Sequence, residues 1–271
     1  MQFKREKTIE GVVQRDFDLE VAGATVPCVL WAPRDAEGPR PLLCMGHGGS
    51  QHKKTPGIRS RAIEYAQQFG WATLSIDAPG HGDRITRDEA VAFARDVGAR
   101  VTGRAGVTPI DPARLKAMAQ NMRQGVVEWK AALDATLALD FIGAESPIGY
   151  WGVSMGTAIG VPFVASEPRI RCAVFGLAGL RPGATEFAEA ARRIQIPVQF
   201  VFQWDDAVAA REHGIALFEA FGSKEKSMHI NPGGHLDIPA YERPAWAAFF
   251  GRHLAQRHEA SHMDAATGTD A

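Results

Sequence analysis

Residues 150–160 read YWGVSMGTAIG, and no other stretch restricts the fold of this chain as sharply. An apolar run leads up to Ser154, a helical pattern follows it, and Gly152 and Gly156 stand two residues to either side. Glycine costs backbone entropy in a strand or a helix. Two glycines around one serine mark a very sharp strand-to-helix turn, where the two backbones approach too closely for side chains. Such a turn lifts a hydroxyl clear of its own backbone. A serine needs that exposure, and a base within hydrogen-bond reach, to act as a nucleophile. The serine itself is expected in a strained conformation.

Around this turn, strands and helices alternate. Apolar runs at 42–46 (LLCMG), 71–77, 147–153, 170–178, 197–202 and 226–231 read as strands. Helical patterns cover 56–69, 155–166, about 184–193, 210–221 and 239–255. In the first of these, Ile58, Ala62, Tyr65, Ala66 and Phe69 share a face. A longer helix is expected from Arg123 to Ile142, with Val127, Ala131, Leu133, Leu137 and Phe141 as its buried stripe. Near the N-terminus, GVVQRDFDLEV and ATVPCVLWAP read as two strands. This order predicts an α/β fold with a mainly parallel central sheet and helices on both faces.

Residues 85–122 hold short helical patterns around a glycine-containing break, and they form a longer connection than such folds usually carry. This small helical insertion either caps the carboxyl edge of the sheet or decorates the fold elsewhere. The expected organisation is a single domain over 1–256 and a flexible tail over 257–271.

A net charge of −1 gives no basic surface for nucleic acid or an anionic membrane. No run is long enough to span a bilayer, and no apolar segment follows the basic start MQFKREK, so neither a membrane span nor a secretory signal is expected. Cys28, Cys44 and Cys172 lie far apart in strand-like segments, which suits buried free thiols in the cytoplasm. On a helix the side chains of His253, His258 and His262 do not share a face, so no metal is expected there. The GHGG stretch matches neither a dinucleotide fingerprint nor a phosphate-binding loop, and no cofactor is expected.

Four motifs occur in order: GHGGS at 46–50, DAPGHGDR at 77–84, GVSMG at 152–156, and GGH at 233–235 with an acidic loop before it. With these the chain, over roughly residues 20–255, resembles the α/β-hydrolase superfamily, close to its serine carboxylesterase and dienelactone-hydrolase-like branch. The resemblance implies a Ser-Asp-His order, with Ser154 as nucleophile and His235 as base. The orienting acid is Asp206 in preference to Asp205, both in QWDDAV after strand 197–202, with Val208 as a hydrophobic follower. A negative tetrahedral oxygen needs backbone N–H groups aimed at it. One is the amide of Met155; the other, by likeness to HG-x loops, is that of Gly49, with Gly48 and Ser50 as alternatives. His47 is expected to hold its loop by a side-chain hydrogen bond.

Trp204 and His81 are the candidate substrate contacts, with Asp83 a weaker one, and Trp151 is expected in the core. A serine nucleophile departs from dienelactone hydrolase itself, which uses cysteine, and from the aspartate nucleophile of haloalkane dehalogenases and epoxide hydrolases. The implied activity is hydrolysis of a small-molecule carboxylic ester, or a related thioester or lactone, through an acyl-enzyme. The alternatives are a hydrolase-fold small-molecule binding protein with little turnover, against which the intact set Ser154, Asp206 and His235 speaks, and a cofactor-free lyase or perhydrolase using the same residues. Oligomeric state stays open, a homodimer being compatible.

Overall fold

A computed structural model describes residues 1–35, 38–102 and 112–255. Its described residues form one nine-stranded sheet in the order β1-β2-β3-β5-β4-β6-β7-β8-β9. The N-terminal strands β1 (Arg5–Ile9), β2 (Val12–Val21) and β3 (Ala24–Pro33) are an antiparallel meander, and β3 joins β5 (Ala72–Ile76) antiparallel. From there β5, β4 (Leu42–Gly46), β6 (Ile148–Val153), β7 (Ile170–Gly176), β8 (Val198–Gln203) and β9 (Lys226–Asn231) run parallel. Strands β4, β5 and β8 are buried at every position; β4 reads as a continuous apolar run, while β5 and β8 also bury Thr73, Ser75, Gln199 and Gln203.

Helices cover both faces. On one side α3 (Pro112–Leu137), α4 (Met155–Ala165), α5 (Thr185–Arg193) and α6 (Arg211–Ala220) pack over Phe175, Phe200 and Tyr150. On the other, α1 (Pro56–Phe69) and α7 (Glu242–Leu254) pack over Trp31, Leu43 and Trp151. The remaining helix, α2 (Arg87–Val101), starts in a capping box between Thr86 and Glu89. Gly70 ends α1 in the left-handed region, φ 70°, and returns its N–H to Tyr65 and Ala66.

Three details differ from the sequence expectation. β1 carries almost no apolar signal: REKTI is exposed at four of its five positions and pairs only as an edge strand. Second, α3 is one helix from Pro112 rather than a short helix followed by one at 123–142, and it stops at Leu137. There the chain turns back through Leu139–Gly143, where Arg40 binds the Phe141 carbonyl from the start of β4. Its buried stripe is also rotated: Trp129, Leu133 and Leu137 face the core while Val127 is 49% exposed. Third, Phe69 lies outside the buried face of α1, stacked on Trp71, and Arg61 stands among the buried residues instead. The proposed tail, 257–271, and residues 103–111 of the insertion lie outside the described residues.

Candidate active site

Strand β6 ends at Val153 and α4 begins at Met155, so Ser154 alone makes the turn. Its backbone sits at φ 58°, ψ −118°, a strained conformation for a residue with a Cβ, worth about 1–3 kcal/mol. Several bonds hold it there. The Ser154 N–H donates to Gly176 O on β7 at 2.8 Å, and its carbonyl accepts the amides of Thr157 and Ala158. The Thr157 hydroxyl lies 2.8 Å from Gly152 O and 2.6 Å from Gly176 O, and accepts the Gly176 N–H. Tyr150 donates its hydroxyl proton to Gly156 O at 2.7 Å. The two glycines are required by space: a Cβ on Gly156 would fall 2.6 Å from Gly46 O, and one on Gly152 would fall 2.8 Å from Gly156 O. Thr157 and Tyr150 were legible only as part of a strand–helix pattern.

The loop after β9 brings His235 to this turn. His235 Nε2 is 3.0 Å from Ser154 Oγ, and His235 Nδ1 is 2.7 Å from Asp206 Oδ2. A carboxylate oxygen only accepts, so Nδ1 carries the proton and Nε2 presents its lone pair to the serine. Asp206 has no exposed side-chain surface, and its other oxygen accepts the amides of Val208 and Ala209 at 2.7 and 3.0 Å. Val208 thus contributes its backbone. Asp205 does not reach the imidazole; it accepts the Gly233 N–H and returns its own amide to Gly233 O, stapling the histidine loop to β8. Gln203 adds bonds from Nε2 to Pro232 O and Asp237 O. Of the pair, the sequence favours Asp206, the member set against His235 here; the loop-stapling role of Asp205 left no sequence signal.

The loop after β4 faces the turn from the other side. Met155, at the first position of α4, has an amide without an intrahelical acceptor. Of the loop amides, that of Gly48 is taken by Gln51 Oε1 at 3.1 Å, while Gly49 and Ser50 line the same cavity as Ser154. His47 does hold its loop: Nδ1 donates to Gly48 O at 2.9 Å and Nε2 accepts the Ala78 N–H at 3.0 Å. Burial pushes its pKa down to about 4, so it is neutral. The DAPGHGDR loop is anchored by Asp77, fully buried, which accepts the Lys53 and Asp83 amides and the Lys53 ammonium at 2.5 Å. Asp83 also binds Lys53 Nζ, at 2.6 Å. Burial opposes the Lys53 charge, but the two carboxylates outweigh it and hold its pKa up. Asp83 is therefore a structural partner and does not line the cavity.

A cavity of about 1000 Å³ opens over Ser154 and His235. His81 lines it, its ring edge-on to Phe93, with Nδ1 3.0 Å from Pro79 O and Nε2 without a partner. Burial lowers its pKa as well. Trp151 is buried as expected yet also lines the cavity. Trp204 is the correction: it is 46% exposed, lies under the Arg211 guanidinium at 3.5 Å, and does not line the cavity. One residue before the acid pair, it continues outward where Asp206 turns in. The three cysteines are free and buried, and burial raises all three thiols far above their ordinary range. Of the late histidines, His253 packs on Phe249 and lies 3.3 Å from Glu225; His258 and His262 lie outside the described residues. Among the described residues no helix is long and apolar enough to cross a membrane.

No protein-family model and no curated protein matches the chain. Solved structures do. The chain is similar to a cold-adapted esterase from an Arctic intertidal metagenomic library, at 32% identity and a TM-score of 0.74, over 94% of this chain and 100% of that one. It shares its fold with the acetyl xylan esterase of Paenibacillus sp. R4, at 17% identity and a TM-score of 0.69, over 93% and 88% of the two chains. It also shares it with Est1E of Butyrivibrio proteoclasticus, solved with ferulic acid bound, at 15% identity and a TM-score of 0.64, over 89% and 100%. With a mostly parallel sheet, a strained serine turn after β6 and these esterases as its structural neighbours, the chain belongs to the α/β-hydrolase superfamily.

Proposed function

We propose that this protein is a serine hydrolase that cleaves carboxylic esters through an acyl-enzyme. The observation that carries the reading is the unbroken line from Asp206 Oδ2 to His235 Nδ1, at 2.7 Å, and from His235 Nε2 to Ser154 Oγ, at 3.0 Å. Ser154 Oγ attacks the ester carbonyl carbon while His235 Nε2 takes its proton. The carbonyl oxygen becomes an oxyanion that receives the amides of Met155 and Gly49. Buried Asp206 stabilises the imidazolium and fixes its tautomer. Collapse breaks the bond to the alcohol, which leaves with the proton from Nε2. Water then repeats the sequence on the acyl-enzyme: His235 takes its proton, the tetrahedral species collapses, and Ser154 recovers its hydrogen as the acid departs.

Within 85–122, the described helix α2 and the start of α3 act as the cap that limits substrate size; Phe93 and Val97 of α2 and Met118 and Met122 of α3 line the cavity and support this reading. The chain folds as one domain around this site. Three free thiols favour the cytoplasm.

The test pairs a fluorophosphonate probe with p-nitrophenyl acetate turnover. Labelling falls on Ser154, and Ser154→Ala loses both labelling and turnover, the latter by up to ~10⁶ in kcat. Labelling at another residue, or turnover that survives the substitution, overturns the reading.

A further inference from the structure

Arg61 is a buried cation that the scheme above leaves unused. It is 9% exposed, it sits on the buried face of α1, and it lines the same cavity as Ser154. Its guanidinium carbon lies 3.9 Å from the ring centre of Trp151 and 5.5 Å from that of Trp246. Among the described residues no acid pairs with it, and its Nε is buried without any hydrogen-bond partner. The nearby acid Glu64 is taken by Arg243 at 2.6 Å. The two terminal nitrogens lie 3.7 and 3.8 Å from the Cβ position of Gly57, in the first turn of α1. Thr55 gives that turn no side-chain cap, its carbonyl accepting the Ile58 and Arg59 amides, and the positive end of the helix dipole falls at the same turn.

A buried charge without a counter-charge is expensive, and this one has a second positive pole next to it. Burial draws its pKa down to about 10, which still leaves it charged at neutral pH. The cavity as a whole has the same bias. Arg61, Arg100, Arg181 and Arg243 line it, against one carboxylate among its described lining residues, Asp96, which lies 3.5 Å from Arg100. Arg61 thus offers an anion a planar fork over two indole rings, beside the first turn of a helix.

We infer that Arg61 binds a free carboxylate on the substrate, so that the preferred esters are those of dicarboxylic acids or similar molecules bearing one ionised carboxylate away from the scissile bond. Arg61 is the buried one of the arginines lining the cavity and carries one positive charge with no acid paired to it among the described residues, which favours a carboxylate over a phosphate dianion, and its fork suits a carboxylate in two-point contact. Arg243, already paired with Glu64, sits at the rim. This inference rests on the ester-hydrolase reading and extends it to substrate class.

The experiment compares kcat/KM for mono-p-nitrophenyl esters of succinic to suberic acid with that for their uncharged methyl diesters, in the unmodified enzyme, Arg61→Met and Arg61→Lys. The readout is the charged-to-uncharged ratio within each protein, so loss of folded enzyme cancels. In the unmodified enzyme the ratio exceeds about tenfold at one or more chain lengths. It falls toward one in Arg61→Met and is intermediate in Arg61→Lys. Competition against p-nitrophenyl acetate distinguishes the anions: adipate inhibits more strongly than inorganic phosphate. A ratio near one at every length in the unmodified enzyme, a ratio unmoved by Arg61→Met, or stronger inhibition by phosphate overturns the inference. Failure of the ester-hydrolase reading has a different signature, because then the uncharged esters are either not turned over or are turned over without Ser154.

Discussion

Asp77 and Asp206 occupy equivalent places and do opposite things. Each has a fully buried carboxylate just past the carboxyl end of a parallel strand, β5 or β8. Each accepts two backbone amides and one basic side chain. Around Asp77 that base is Lys53, an ammonium whose charge is spent on Asp77 and Asp83. Around Asp206 it is His235, which has a second nitrogen left to offer Ser154. The same anchored carboxylate thus serves structure where its partner is closed off and chemistry where its partner has another face.

The strongest way to break this comparison is to neutralise each carboxylate. Asp206→Asn keeps one oxygen to accept the two amides but removes the charge and favours the wrong imidazole tautomer; kcat on p-nitrophenyl acetate falls by about 10⁴ while the melting temperature changes little. Asp77→Asn shows the reverse. Breaking a buried pair costs about 3–5 kcal/mol in denaturant unfolding, and kcat per folded molecule stays within a few-fold. If Asp77→Asn lowers kcat as far as Asp206→Asn does, the division fails.

A second comparison sets His235 beside His47, which is bonded at both nitrogens. Because folding lowers the His47 pKa from 6.5 to about 4, the unfolded chain binds its proton first. Stability from this residue is full above about pH 6.5 and is lost as pH falls toward 4, by up to about 1.4 kcal/mol per pH unit. Thermal melts across that window have a shallower pH dependence in His47→Gln. Part of the slope remains, because His81 is shifted the same way. An unchanged slope removes His47 as its source.

The smallest expected effect separates two aromatic residues. Phe93→Ala enlarges the cavity and moves the acyl-chain preference toward longer p-nitrophenyl esters by about threefold, whereas Trp204→Ala leaves that preference within experimental error. Equal shifts in both, or none in Phe93→Ala, would remove 85–122 as the cap.

The serine turn was legible because its constraint is steric and local: Gly152 and Gly156 are the price of the backbone crossing at Gly46. His235 was legible from its place after the last strand. Between Asp205 and Asp206 the sequence carried only a preference for Asp206, drawn from Val208 two residues on, since adjacent residues differ only in the direction a loop takes. Trp204 misled for the same reason. Arg61 did leave a trace, an arginine on the stripe of Ile58, Ala62 and Tyr65, but its lack of any acid depends on Glu64 being held by Arg243, across 179 residues of chain. β1 was hidden because an edge strand with water on its outside has no apolar alternation to display.

That edge has a consequence for how copies of the protein meet. A strand approaching the open side of β1 would lay its side chains along Arg5, Glu6 and Lys7, all exposed. Such a charged margin accepts few sequences, and it discourages the sheet of one molecule from being continued by another. The rim thereby guards against fibrillar growth at the end of the sheet farthest from β9.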